Sequence, residues 1–157
     1  CSLLEKFLPE RQNYSQIFNA TNAFIDLLTF QDESKNDYWM EGYVKWEIGV
    51  LSSIGFSLDL NRCAVTGSKT NLLFVSPKTG KAISKEGAGR YAPRLLLLPS
   101  FLGGNNVISS NFYKEILAGL NITSYFFKNK LLLSINTNKP TNLPNPRIRF
   151  VELIEKL

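Results

Sequence analysis

Histidine is absent from the 157 residues, methionine occurs once and cysteine twice. A chain without imidazole lacks both the usual proton shuttle near neutral pH and the commonest metal ligand. Cys63, read as a nucleophile, has no histidine to take its proton; a Cys–Lys arrangement would need a lowered thiol pKa, which sequence does not display. Burial as a small apolar side chain is the favoured reading of Cys63. Two cysteines, Cys1 and Cys63, do not make the disulfide framework of a small secreted domain, and both are expected as reduced thiols.

Long apolar runs are missing too. No stretch approaches the roughly 20 residues that span a bilayer, and no basic-then-apolar leader opens the chain, so it reads as soluble, cytoplasmic and free of membrane partners. The glycines at 87, 89, 103 and 104 are not followed by the Lys-Ser/Thr of a phosphate loop, nor do they open a helix after a strand. Asp59 and the scattered glutamates form no close pair in an apolar setting, which leaves a carboxylate dyad without support. The triplets beginning at Asn13, Asn19 and Asn121 match a glycosylation pattern, but arise readily in an asparagine-rich chain. The expected function is binding without catalysis.

Apolar residues make up 44% of the chain and aromatics 12%, enough for the core of one domain. Charge is unevenly placed. Between 61 and 94 stand seven basic residues (Arg62, Lys69, Lys78, Lys81, Lys85, Arg90, Arg94) and one acid, Glu86, so this segment carries +6 of the net +5 and the rest is slightly acidic. A basic segment in a neutral body suits a binder of phosphates or acidic peptides. The alternative is a solvated hairpin whose lysines only confer solubility.

Periodicity gives a mostly helical reading. Ile17, Thr21, Phe24 and Leu28 recur at helical spacing from Tyr14 to about Phe30, with Phe18 and Ile25 widening the stripe. After a polar connection over 31–36, Trp39, Tyr43, Trp46 and Val50 form one stripe and Met40, Val44, Ile48 and Leu51 another, as in a helix central to a bundle. Gly55 followed by Phe56 predicts a left-handed cap. Leu72–Ser76 and Lys81–Ser84 flank Pro77-Lys78-Thr79-Gly80, which predicts a β-hairpin. Leu95–Leu98 before Pro99 reads as a short buried segment, and Gly103–Asn106 as a break. Helical spacing returns from Asn111 to about Lys128 through Phe112, Tyr113, Ile116, Leu117, Leu120, Ser124 and Phe127. A loop over 136–145 precedes a last helix, capped by Asn145 with Pro146 first, and with Ile148, Val151, Ile154 and Leu157 inward. The expectation is one mostly α domain over 1–157, a helical bundle with 61–94 as an inserted basic β-hairpin module.

The run Tyr43-Val44-Lys45-Trp46-Glu47-Ile48 through Ile54-Gly55-Phe56-Ser57-Leu58-Asp59-Leu60-Asn61-Arg62-Cys63-Ala64-Val65-Thr66-Gly67 resembles the central segment of the RecO family of bacterial DNA repair and recombination mediators. So do Phe74-Val75-Ser76-Pro77-Lys78-Thr79-Gly80-Lys81-Ala82-Ile83-Ser84 and Leu95-Leu96-Leu97-Leu98-Pro99-Ser100-Phe101-Leu102, while Leu8-Pro9-Glu10-Arg11 resembles the family's turn between its first two C-terminal helices. The resemblance is to that family's C-terminal domain and covers essentially the whole chain. It implies an N-terminal OB-fold, the family's main single-stranded DNA binder, before Cys1; the opening Ser2–Leu8 reads as the tail of a helix already under way.

Some relatives hold zinc in this module with two Cys-x-x-Cys pairs. Here Cys63 keeps the first position and Thr66 stands at the second, with no cysteine after it, so the resemblance implies a degenerate zinc-ribbon-like hairpin without zinc, packed through Leu73, Phe74 and Ile83. It also implies partners: single-stranded DNA-binding protein (SSB) through its acidic C-terminal tail, RecR, and RecA indirectly, in a nucleoid-associated cytoplasmic setting. A tail of that kind needs a cation beside an apolar pocket. Lys45, beside Trp46 on the central helix, and Arg62 are the candidates. The competing reading of Lys45 is a surface ion pair with Glu41, worth about 0.3–0.5 kcal/mol, and of Trp39 and Trp46 core packing. Lys69, Lys78, Lys81, Lys85, Arg90 and Arg94 form the candidate patch for nucleic acid or an acidic partner. A function of another class is also open: a structural platform that orients the OB-fold and docks RecR.

Overall fold

The computed structural model describes residues 2–8, 13–29, 37–105, 111–134 and 142–157, with side chains omitted at Lys6 and 130–134. The expected connections at 9–12 and 31–36, Cys1, Asn106 and most of the loop over 136–145 lie outside these residues.

Among the described residues there are five helices of six or more residues and a small sheet: α1 (Ser2–Phe7), α2 (Ser15–Thr29), α3 (Trp39–Ser53), then β1 (Leu72–Val75), β2 (Ala82–Ser84), the single turn α4 (Lys85–Ala88), β3 (Leu96–Leu97), α5 (Phe112–Ser134) and α6 (Asn145–Ile154). The mostly α class with an inserted β module is what the sequence pattern predicts. α3 is the central helix, packed on α2 along one side and on α5 along the other. Its double stripe explains this, since Val44, Val50 and Leu51 are fully buried and Met40 and Trp46 nearly so. The helix stops where Gly55 takes φ +91°. The Phe56 and Gly55 N–H groups then donate to Leu51 and Ser52 carbonyls at 2.8 and 3.0 Å, the paired bonds of a Schellman cap.

The hairpin forms as expected around residues 77–80, closed by Gly80 N–H donating to the Ser76 carbonyl at 2.8 Å. It gains a strand that the sequence reading left out. Leu96 and Leu97 pair antiparallel with Val75 and Phe74, giving the order β2-β1-β3. Asn105 extends that edge, its side chain accepting from Leu72 N–H at 2.7 Å and its own N–H donating back to the Leu72 carbonyl at 3.0 Å. Leu72, Val75, Ala82 and Ile83 are the buried apolar strand residues, whereas the expected Leu73 and Phe74 are half-buried. Leu98 is fully buried, but Leu97 faces solvent because it sits on the edge strand's outer side.

Three further expectations are corrected. Phe18, Ile25 and Leu28 of α2 are 65%, 50% and 47% exposed, because α2 lies on the rim and reaches the body mainly through α3. α5 runs on to Ser134 and buries Ala118, Ile122, Thr123 and Phe126 beyond the predicted stripe, as a helix enclosed by neighbours does. In α6, Asn145 is the first helical residue and Pro144 holds the cap position with no side-chain cap bond, while Leu157 is exposed. The residue that α6 sends fully inward besides Ile154 is Arg147.

Candidate functional site

A recess of about 300 Å³ opens between α2 and α3, lined by Ala20, Ala23, Phe24, Leu27, Gly42, Lys45 and Trp46. Its origin is local. Small residues at 20, 23 and 42 remove side-chain volume where the two helices approach, and a Cβ on Gly42 would run into Leu27 Cδ2. Aromatic rings form the wall: Phe24 and Trp46 stack with centroids 6.0 Å apart, and Tyr43 stacks on Trp46 at 5.8 Å. Trp46 is 5% exposed and its Nε1 donates to Thr21 Oγ1 at 3.0 Å. The core reading of Trp46 is therefore right, and the same ring also backs the recess. Trp39 is half-buried and packs on Phe150 at 5.6 Å.

Among the described lining residues, Lys45 supplies the only charge. Its Nζ lies 3.9 Å from Glu41 Oε2 and 5.8 Å from the Phe101 ring centroid, and its side chain stays 54% exposed. A pair this long and this wet is weak, so the ammonium is available to a stronger anion. Arg62 is exposed at the entrance to the β module and does not line the recess. Sequence reasoning named Lys45 and Trp46 but missed Phe24, Leu27 and Gly42; the glycine in mid-helix, three residues before Lys45, was the available signal.

The basic residues between 61 and 94 are all exposed, but they do not form one cluster. Lys78 and Lys81 stand at the turn of the hairpin, and Arg94 leads into β3 at that same end of the sheet, since Leu96 pairs with Val75. Lys69 and Lys85 lie at the opposite end, where Lys85 N–H donates to the Asn71 carbonyl at 2.9 Å. Arg90 and Arg94 belong to a 3-10 helix, Gly89–Arg94, that crosses between the two ends.

Inside the module, Cys63 does more than fill space. It is 2% exposed, and its sulfur accepts backbone N–H groups from Val65 and Thr66 at 3.4 Å each and from Ser84 at 3.2 Å. Burial pushes the thiol up, but hydrogen bonds from Ser84 and Thr66 outweigh it and bring it down to about 6. Thr66 Oγ1 lies 3.4 Å from Ser84 Oγ, which accepts Gly87 N–H at 3.1 Å, and a Cβ on Gly87 would come 2.9 Å from the sulfur. Positions 63, 66, 84 and 87 thus converge as two pairs with the same spacing. One thiol, two hydroxyls and a glycine do not supply the N/S donor set of a structural zinc site. Among the described residues, no three His, Cys, Asp or Glu side chains are grouped to hold a metal.

The chain as far as residue 139 matches the family model "Recombination protein O C terminal". This chain belongs to the RecO C-terminal family. Similar proteins include the DNA repair protein RecO of Wolbachia pipientis, 40% identical over 142 residues and 88% of this chain. Those of Cereibacter sphaeroides and Rhodospirillum rubrum are 40% and 36% identical over 156 residues, each across 99% of this chain. The chain spans 57% of the Wolbachia RecO and 60% of each of the other two. No solved structure matches it. Among the described residues no helix is long and apolar enough to cross a membrane. α6 lies past the residues that the family model matches but within the span shared with the Cereibacter and Rhodospirillum RecO proteins, and it is joined to the core through Arg147.

Proposed function

We propose that the α2–α3 recess receives the acidic C-terminal tail of SSB, and that the chain serves DNA repair and recombination as a binding module, without catalysis. The observation that carries this reading is one half-exposed ammonium, Lys45, on the rim of an otherwise apolar recess walled by Phe24 and Trp46. A chain end with carboxylates and a large apolar side chain satisfies both at once: the side chain buries on the aromatic wall while Lys45 meets the carboxylates. The module would work with RecR as a partner and with RecA indirectly, helping RecR-dependent RecA loading and strand annealing in the cytoplasm at the nucleoid, and the OB-fold of the longer relatives would supply most of the single-stranded DNA affinity. Arg62 belongs with the basic module rather than with the tail. The module is read as working without a cofactor, a reading supported by the hydrogen bonds that join the hairpin's four converging positions.

Calorimetric titration with a peptide of the SSB tail tests the reading. Binding should weaken steeply as salt rises; no binding at low salt rejects it. A platform role, orienting the OB-fold and docking RecR, has its own support in the exposed apolar flank of α2 formed by Phe18, Ile25 and Leu28.

A further inference from the structure

The β module holds an aromatic side chain that tail binding does not use. Tyr91 lies within the 3-10 helix Gly89–Arg94 and is 53% exposed. The Arg90 guanidinium sits 5.2 Å from its ring centroid and donates to its hydroxyl at 3.2 Å. Residues three apart eclipse in a 3-10 helix, with a rise of about 6 Å per turn. Arg94 therefore stands on the same face as Tyr91, one turn on. Pro93 within this helix restricts the backbone between them. The segment's one acid, Glu86, already accepts from Asn71 Nδ2 at 3.1 Å.

We propose that Tyr91, Arg90 and Arg94 form a platform for single-stranded nucleic acid, with one base stacked on the open part of the Tyr91 ring and neighbouring phosphates held by the two guanidiniums. The ring decides the ligand class. An acidic peptide would satisfy the arginines but covers the ring only where an aromatic residue falls beside its carboxylates, whereas every nucleotide brings a π face and an anion together. A duplex does not fit, because its bases are already stacked and its phosphates alone would leave Tyr91 unused. Arg90 laid along the ring holds the platform in place before the strand arrives.

The platform is tested with the 157-residue chain and a fluorescein-labelled thymidine-only strand, by anisotropy across a salt series. Wild type binds at low salt; Tyr91→Ala weakens binding by about fivefold or more, and Tyr91→Phe keeps wild-type affinity. Arg90→Ala and Arg94→Ala each flatten the log-affinity against log-salt slope by about one. A strand carrying iododeoxyuridine photo-crosslinks to the peptide containing Tyr91. Strand and tail-peptide affinities are read on the same variants, so failure of the recess reading is seen separately. The platform is overturned if the strand does not bind at low salt, if Tyr91→Ala with an unaltered circular dichroism spectrum binds it as tightly as wild type, or if Tyr91→Ala loses an acidic peptide and keeps the strand.

Discussion

Arg147 Nε lies 2.6 Å from Glu47 Oε1, joining α6 to the central helix through an ion pair whose side chains are 3% and 0% exposed. A second bond runs from Arg147 Nη2 to Glu47 Oε2 at 2.9 Å; the same Nη2 also reaches Thr123 Oγ1 and the Leu120 carbonyl of α5, and Nη1 donates to Ser124 Oγ. Thr123 Oγ1 donates to Glu47 Oε2 at 2.5 Å. Burial, and then the Glu47 charge beside it, push the Tyr43 hydroxyl well above its ordinary range. Three helices are thus held in one register by a fully bonded polar network inside an apolar core. A buried pair of this kind is costly to break on one side, whereas replacing both partners with apolar residues of similar volume is often neutral.

Removing one partner is expected to be severe. Arg147→Met strands the Glu47 carboxylate and should destabilise the fold by about 3–5 kcal/mol, read from urea unfolding. Replacing both, Glu47→Leu with Arg147→Met, should recover most of that loss. A single variant as stable as wild type would show that the pair is not buried in solution.

For the recess, Lys45→Glu should abolish binding of the SSB tail peptide while leaving the circular dichroism spectrum intact. Arg62→Glu should change it by no more than general electrostatics allows, because Arg62 does not line the recess. Ala23→Phe, which fills the recess from α2, should block the peptide without altering charge. Calorimetry on the three variants checks this; equal losses at Lys45 and Arg62 would move the site toward the β module.

The Cys63 thiol should titrate low. In a Cys1→Ser background, thiolate absorbance should rise with a midpoint near the value of about 6 set by its hydrogen bonds. An unfolded cysteine titrates at about 8.5. The folded state favours the thiolate, so this stabilisation is complete above the unfolded value and is lost as pH falls through the folded one. Melting temperature should therefore rise between these two pH values, and Cys63→Ser should remove that rise.

The converging pairs at 63/66 and 84/87 predict that Thr66→Cys, Ser84→Cys and Gly87→Cys together create a zinc site, detectable as one zinc retained per chain after gel filtration and as a chelator-sensitive melting temperature. The unaltered chain should melt at the same temperature with and without chelator. A triple variant that folds and retains no zinc would mean that the four side chains do not meet.

Much of this molecule is legible one segment at a time. The double stripe of α3, the cap at Gly55 and Phe56, the turn at Pro77–Gly80 and the helix beginning at Phe112 rest on residues within a few positions of each other, where backbone geometry translates pattern directly into structure. Lys45 beside Trp46 was visible for the same reason, and so was the family, through its contiguous motifs.

Other features exist only in the assembled fold. Phe18 and Leu28 carry a helical stripe, yet their exposure depends on how much of α2 the body covers. β3 needed Leu96 to meet Val75, and the recess needed Ala20 and Ala23 to come opposite Gly42. Arg147, a charged residue early in a short helix, reads as solvated until Glu47, 100 residues earlier, is placed against it. The sequence by itself determined the helices, turns and charge of this chain, because those follow from short-range sterics and hydrogen bonding; only the tertiary structure decided which faces are buried and which distant side chains meet, because a local pattern says that a face is apolar but not what will cover it.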